Sequence, residues 1–318
     1  GGLGLNNAAA LGTGILNLLE SSGLSLDNSS GGDLTLSTNN AIGLSADFTF
    51  TGSNGSALNL GTGAVALAGT RGITTTAGTL TLGGVISGNG MLHKYGAGTL
   101  ALSGTNTFQM AALGDASSVV VGAGTLLINA DAALGTAPAS AKVSTLLLAG
   151  GALQASANTT VNSFRGIELL SGTTGGLAAS ASTTLTYAGV VNGLGALAVN
   201  AATDATGTVI LSSADIFMGG TTVSRGTLQL GNAGALGIGT LALNGGTVNG
   251  STALTALTLG GLSGTATGSL LSLSNTNATP AAIALSVGSN NASTSYLGVI
   301  SGLGSVTKIG TGTLTLAG

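Results

Sequence analysis

The chain has no cysteine and no tryptophan, a single histidine, and only 5% charged and 3% aromatic residues among 318. Without cysteine, disulfides and thiolate metal sites are excluded. Six Lys and Arg stand against nine Asp and Glu, for a net charge of −3, so there is no electrostatic footprint for nucleic acid. Intrinsic disorder does not fit either, because disordered chains are poor in apolar residues and rich in charge. Here 43% of residues are hydrophobic and mean hydropathy is +0.58. No apolar run of about 18 residues survives interruption by Gly, Ser, Thr or Asn, which excludes a membrane-spanning helix. Gly1 carries no initiator Met and no signal peptide, so the chain reads as a mature product or a slice of a longer one.

What is present is glycine, 58 of them, and repetition. "GVISGNGMLHKYGAGTLALSG" (Gly84 to Gly104) and "GVISGLGSVTKIGTGTLTLAG" (Gly298 to Gly318) align without a gap and agree at 13 of 21 positions. A worn third copy, "GVVNGLGALAV", runs from Gly189 to Val199. Gly-Thr-Leu occurs six times: Gly78-Thr79-Leu80, Gly98-Thr99-Leu100, Gly124-Thr125-Leu126, Gly226-Thr227-Leu228, Gly239-Thr240-Leu241 and Gly312-Thr313-Leu314. Each opens a run of alternating character, with Leu on one face and mostly Thr, Ala or Gln on the other. These are short half-buried strands, and the Gly and Asn clusters between them are turns.

"LGLNNAAALGTG" (Leu3 to Gly14), "LLINADAALGTA" (Leu126 to Ala137) and "LQLGNAGALGIG" (Leu228 to Gly239) also align. The chain therefore holds three degenerate units, near 1–104, 105–213 and 214–318. Strands this short cannot bury their Leu faces alone, whereas stacking one coil on the next buries them and pairs equivalent strands in parallel. The expectation is an all-β fold, one continuous single-stranded parallel β-helix (β-solenoid) over 1–318. At about 20 to 25 residues per coil that is about 13 to 16 coils. The expected core includes Leu80, Leu82, Leu100, Leu102, Leu126, Ile128, Leu228, Leu230, Leu241, Leu243, Leu314 and Leu316. "ILNLLESSG" (Ile15 to Gly23) is the one stretch with helical potential and is read as strand. An array of antiparallel sandwiches is the competing fold; it would place hairpin turns at sites such as Asn244-Gly245-Gly246 and lacks the aromatic core such domains usually have.

"KYGAGTLALSGTNTF" (Lys94 to Phe108), "TKIGTGTLTLAG" (Thr307 to Gly318) and "GGTTVSRGTLQLGNAGALG" (Gly219 to Gly237) resemble the autotransporter-associated β-strand repeat, approximately L-x-K-x-G-x-G-T-L-x-L-S-G-x-N-T-Y. The resemblance implies a right-handed parallel β-helix at the outer surface of a Gram-negative-type bacterium. Stalk, adhesive or matrix roles follow from it, commonly without enzyme activity in the repeat. The absence of Cys is compatible with such an exported protein. The sequence departs from the pattern twice. The third copy keeps no Lys over Ala198 to Thr206, and "QMAALGDASSVVVGAGTLLI" after Phe108 carries an insertion.

Catalytic constellations find little support. His93 aligns with Thr307, so the position tolerates a hydroxyl, and an outward-facing strand residue is expected; no Ser-His-Asp triad can be built on it. Lys94 and Lys308 match between copies, and a structural role is expected: capping carbonyls at a turn or discouraging slipped pairing. The acids, Glu20, Asp27, Asp33, Asp47, Asp115, Asp131, Glu168, Asp204 and Asp215, are scattered. A polysaccharide-acting β-helix enzyme would need two of them about 5 to 10 Å apart. "GGDLTL" at Gly31 lacks the calcium-binding nonapeptide, and Gly-x-Gly without a following helix is a turn rather than a dinucleotide loop. The Thr-x-Thr pairs at Thr79/Thr81, Thr184/Thr186 and Thr313/Thr315 suggest an ice-binding face, but Thr99/Ala101, Thr125/Leu127 and Thr227/Gln229 interrupt it. Six glycosylation sequons (Asn28, Asn54, Asn158, Asn249, Asn277, Asn291) matter only in a host that glycosylates exported proteins. The expectation is a non-catalytic structural or adhesive protein without cofactor or metal. Its partners would be copies of itself stacked coil edge on coil edge into a filament, with surface glycans a second class. The other possibility is a slice of a long monomeric stalk.

Overall fold

Alternating Leu and small polar residues make strands, and the computed structural model shows how they assemble; it describes residues 1–19, 23–109 and 119–318. Among these there is no α-helix, only the short 3-10 turns Ser53–Gly55 and Asp131–Leu134. The strand pairings are parallel, and one isolated bridge, Ser274 with Ala282, is antiparallel. Hairpin sheets, the competing fold, are absent from the described residues. The strand expected within Ile15 to Gly23 is present at Leu16–Leu18; residues 20–22 of that stretch, and residues 110–118 of the insertion after Phe108, lie outside the described residues.

The chain forms two compact units, Gly1–Leu153 and Gln154–Gly318. In the first, the strands fall into three sheets. One runs through Gly2–Leu5, Ser25–Asn28, Phe48–Phe50, Arg71–Thr75, Leu92–Tyr95 and Val119–Val121. A second stacks Leu34–Thr35, Leu58–Asn59, Thr79–Leu82, Thr99–Leu102 and Thr125–Ile128. The third stacks Leu16–Leu18, Ile42–Leu44, Val65–Leu67 and Ile86–Ser87. In the second unit the long ladder is Thr159–Val161, Thr184–Tyr187, Thr208–Leu211, Thr227–Leu230, Thr247–Gly250, Leu270–Asn275 and Val299–Ser301. Coil lengths there vary from the 19 residues between Thr208 and Thr227 to the 29 between Leu270 and Val299. Each unit is thus a parallel β-solenoid.

Register places like on like. Thr79, Thr99 and Thr125 are direct neighbours, as are Leu80, Leu100 and Leu126. Every second residue enters the core: Leu80, Leu100, Leu126, Ile128, Leu228, Leu230 and Leu243 are fully buried, with Leu82, Leu102 and Leu241 at most 3% exposed. The six Gly-Thr-Leu strings do not form one column, however. Three stack in the first unit; Thr227 stacks between Thr208 and Thr247, and Leu241 between Thr221 and Leu262.

The repeated 21-residue string is one turn of the solenoid. A Cβ on Gly104 would lie 2.2 Å from the carbonyl oxygen of Gly84, and one on Gly318 would lie 2.1 Å from that of Gly298. First and last glycine of the string therefore sit directly on one another. The same crowding explains why the string opens with glycine: a Cβ at Gly84 would be 1.8 Å from the Gly63 carbonyl oxygen, and one at Gly189 1.8 Å from that of Arg165. At this corner the chains pass backbone on backbone.

Two core expectations fail. Leu314 is only half-buried and Leu316 is 53% exposed. The strand Leu314–Leu316 pairs on one side with Thr294–Tyr296, and no further coil among these residues covers its other side. Leu102 and Leu316 occupy the same place in the repeated string, so they make a controlled comparison. Leu102→Ala is expected to lower stability by about 2–5 kcal/mol, the range for a buried Leu truncation. Leu316→Ala is expected to cost under about 1 kcal/mol, since a half-exposed side chain leaves little cavity. Denaturant titration of both variants checks the contrast.

Candidate functional site

Parallel coils leave backbone groups at their corners that no strand ladder satisfies, and buried groups of this kind must find partners. The polar side chains of this chain answer that need. Lys94 lies within the strand Leu92–Tyr95, points to the interior and is fully buried. Its Nζ donates to the carbonyls of Tyr95 (2.7 Å), Gly96 (2.7 Å) and Ala123 (3.1 Å), the last on the next coil. Burial pushes the ammonium down to about 8, because the charged form loses hydration. Lys308, its counterpart, donates to the carbonyls of Ile309 and Gly310 and is exposed. The turn that both lysines close has its left-handed glycine at Gly96 (φ 77°) and Gly310 (φ 66°), two residues ahead of the Gly-Thr-Leu glycine. In Gly78, Gly124 and Gly226 the Gly-Thr-Leu glycine itself is left-handed, whereas Gly98, Gly239 and Gly312 are not.

The carboxylates and amides do the complementary task of accepting from backbone N–H groups one coil away. Asp27 Oδ1 accepts from Ser53 N–H at 3.0 Å, Asp33 from Ala57 at 2.8 Å, Asp47 from Gly72 at 2.8 Å and Asp215 from Val191 at 2.8 Å. Asn39, Asn158 and Asn291 accept in the same manner from Thr62, Thr184 and Thr311. Buried Asn106 and Asn200 bridge neighbouring segments: Asn106 accepts from Ile86 N–H and donates to the Ala133 carbonyl, and Asn200 accepts from Ala179 N–H and donates to the Gly207 and Arg225 carbonyls. These asparagines are the residues that sequence reasoning missed. The signal was available in one place, since the repeat pattern contains the Asn that Asn106 represents.

His93 is half-buried beside Tyr95, whose hydroxyl lies 3.2 Å from Nδ1, with the rings edge-on at 5.9 Å. Burial lowers its pKa, against the opposing pull of Asp47. Among the described residues no cluster of three His, Asp or Glu could hold a metal; Glu20 and Asp115 lie outside them. An open groove in the second unit, bordered by Met218, Thr222, Ile238, Thr240, Ser263 and Asn290, contains no ionisable side chain. No described helix is long and apolar enough to cross a membrane.

A parallel β-solenoid whose polar residues join coil to coil is the class of structure these observations define. Over 179 residues, 54% of this chain, the sequence is 32% identical to the adhesin BmaC autotransporter of Brucella suis biovar 1 (strain 1330). The aligned part is 5% of that adhesin's length. The fold and this similarity agree with the resemblance to autotransporter passenger repeats. No protein-family model and no solved structure matches the chain.

The clamp leads to a direct expectation. Lys94→Met would leave three buried or half-buried carbonyls without their donor and is expected to lower stability by about 2–4 kcal/mol. Lys308→Met, at the exposed counterpart, should fall within about 0.5 kcal/mol of the parent. Parallel urea titrations of the two variants at pH 7 check this.

Proposed function

We propose that this chain is a non-catalytic, adhesin-like stalk segment of a bacterial autotransporter, displayed at the outer cell surface or extracellularly. The observation that carries the proposal is the similarity to a stretch of an autotransporter adhesin, on a solenoid in which Asp27, Asp33, Asp47 and Asn106 serve inter-coil hydrogen bonds. A stalk needs length, axial stiffness and resistance to proteolysis, and repeated coils supply all three without chemistry. Low surface charge suits close packing against neighbouring molecules or surface glycans.

A second reading is that copies stack end to end into a filament. Only 5% of the residues are charged, so like charges would oppose such close association little.

Protease shaving of intact source cells should release peptides of this chain; their retention inside unshaved compartments would refute the surface assignment. A panel of surface glycans incubated with the chain should yield no cleavage products. Reproducible turnover, abolished by replacing one pair of acids, would establish an enzyme instead. Electron microscopy separates the two assembly readings: filaments with an axial repeat of one chain support stacking, and dispersed monomers at high concentration refute it.

A further inference from the structure

We propose that Asp215 is a carboxylic acid kept in its neutral form to clip one coil of the second unit to the next, in the place where the first unit uses Asn106, and that it makes this corner sensitive to pH. The two sites share the buried residues that frame them. Leu102, Asn106 and Phe108 correspond to Leu211, Asp215 and Phe217, and all but the two clip residues are at most 1% exposed. Asn106 donates its backbone N–H to the Ala132 carbonyl at 2.9 Å, accepts from Ile86 N–H at 2.8 Å, and donates Nδ2 to the Ala133 carbonyl at 2.7 Å. Asp215 donates its backbone N–H to the Gly234 carbonyl at 3.0 Å and accepts from Val191 N–H at 2.8 Å. Ile86 and Val191 are equivalent in the two copies of the repeated string, and Ala132-Ala133 correspond to Gly234-Ala235 in the "ALG" segments.

Two of the three bonds are thus reproduced, and the correspondence with Asn106 names the third partner. Where Asn106 has its amide nitrogen, Asp215 has Oδ2, which is buried and has no hydrogen-bond partner. By correspondence with the Asn106 bond to Ala133, the Ala235 carbonyl is the acceptor this oxygen would face. An ionised carboxylate would set two acceptors against one another in a buried corner, a costly arrangement. A proton on Oδ2 turns it into a donor and completes the set that Asn106 makes. Asp215 is 6% exposed, and burial pushes its carboxyl up to about 7, with the bond from Val191 pulling the other way.

No ionisable side chain competes for this proton nearby. Segments 189–193 and 231–237, which bond to Asp215, carry none, and neither does the rest of 208–218. Tyr187 donates its hydroxyl to the Arg165 carbonyl. Glu168 and Arg165 lie on the strand below Val191. Because the folded value lies above the ordinary carboxylate value, the stabilisation is complete below about pH 4 and is lost as pH rises through about 7. The clip is closed in acid and opens toward neutral and alkaline pH.

The test is amide hydrogen exchange on the whole 318-residue chain at pH 5 and pH 8, corrected for intrinsic rates, with carboxyl 13C titration of Asp215. Protection of the Val191 and Asp215 amides should fall at least about tenfold between the two pH values, and the carboxyl should titrate near 7. Asp215→Asn should hold its acid-side protection at both pH values, and Asn106→Asp should bring the same fall to the Ile86 amide. A carboxyl that titrates near 4, or an Asp215→Asn variant that keeps the parent's pH dependence, overturns the proposal. Should Asn106→Asp fail to fold, the Asp215 titration alone decides.

Discussion

A single coil of this chain cannot bury its own leucines. One row of Leu, Ile and Val per strand has no partner within its own turn, and the sequence contributes few aromatic side chains to fill the gap. The row is covered only when the next coil lies on it at the β-ladder spacing of about 4.8 Å. The other features follow from that axial constraint. Equivalent strands must stay in register, so Thr lies on Thr and Leu on Leu. Corners must pass backbone on backbone, so glycines occur where a Cβ would meet a carbonyl from the coil below. Carbonyls and N–H groups at the corners must be answered from neighbouring coils, so Lys94, Asn106 and the aspartates reach across one turn.

The same constraint draws polar side chains into the seams between coils. An active site needs groups that converge, whereas here Asp33, Asp47 and Asp215 each accept from one backbone N–H one coil away, and Asp27 accepts from the N–H and hydroxyl of Ser53. His93 has Tyr95 as its ring partner. A fold in which polar side chains close inter-coil seams suits a protein whose role is mechanical or adhesive, and it agrees with the similarity to a stretch of an autotransporter adhesin.

Much of this architecture was legible in the amino-acid sequence, because period-2 alternation and a 21-residue string repeated without a gap report strand faces and coil length together. Leu100 and Leu126 could be placed in the core from "GTLAL" and "GTLLI" alone. Two things were not legible. The exposure of Leu316 depends on what lies beyond its strand, and no property of "GTLTL" distinguishes it from "GTLAL". The inward course of Lys94 was hidden too: alternation places it on the core side with Leu92, yet a charged residue is ordinarily assigned outward until three carbonyls are seen to receive it. The asparagine bridges escaped notice for a related reason. Asn in a Gly-rich segment reads as turn chemistry, and only the stacked coils show that Asn106 and Asn200 bond across turns.

Coil-on-coil stacking is the claim on which the account stands, and spin labels test it most directly. The chain has no native cysteine, so a Thr79→Cys/Thr99→Cys pair can be labelled cleanly on the half-exposed outer face. The two positions are direct neighbours on adjacent parallel strands although 20 residues apart in sequence. Continuous-wave electron paramagnetic resonance should show strong dipolar broadening relative to the summed single-label spectra, because the labelled backbones are about 5 Å apart. Spectra that equal that sum would contradict the stacked solenoid.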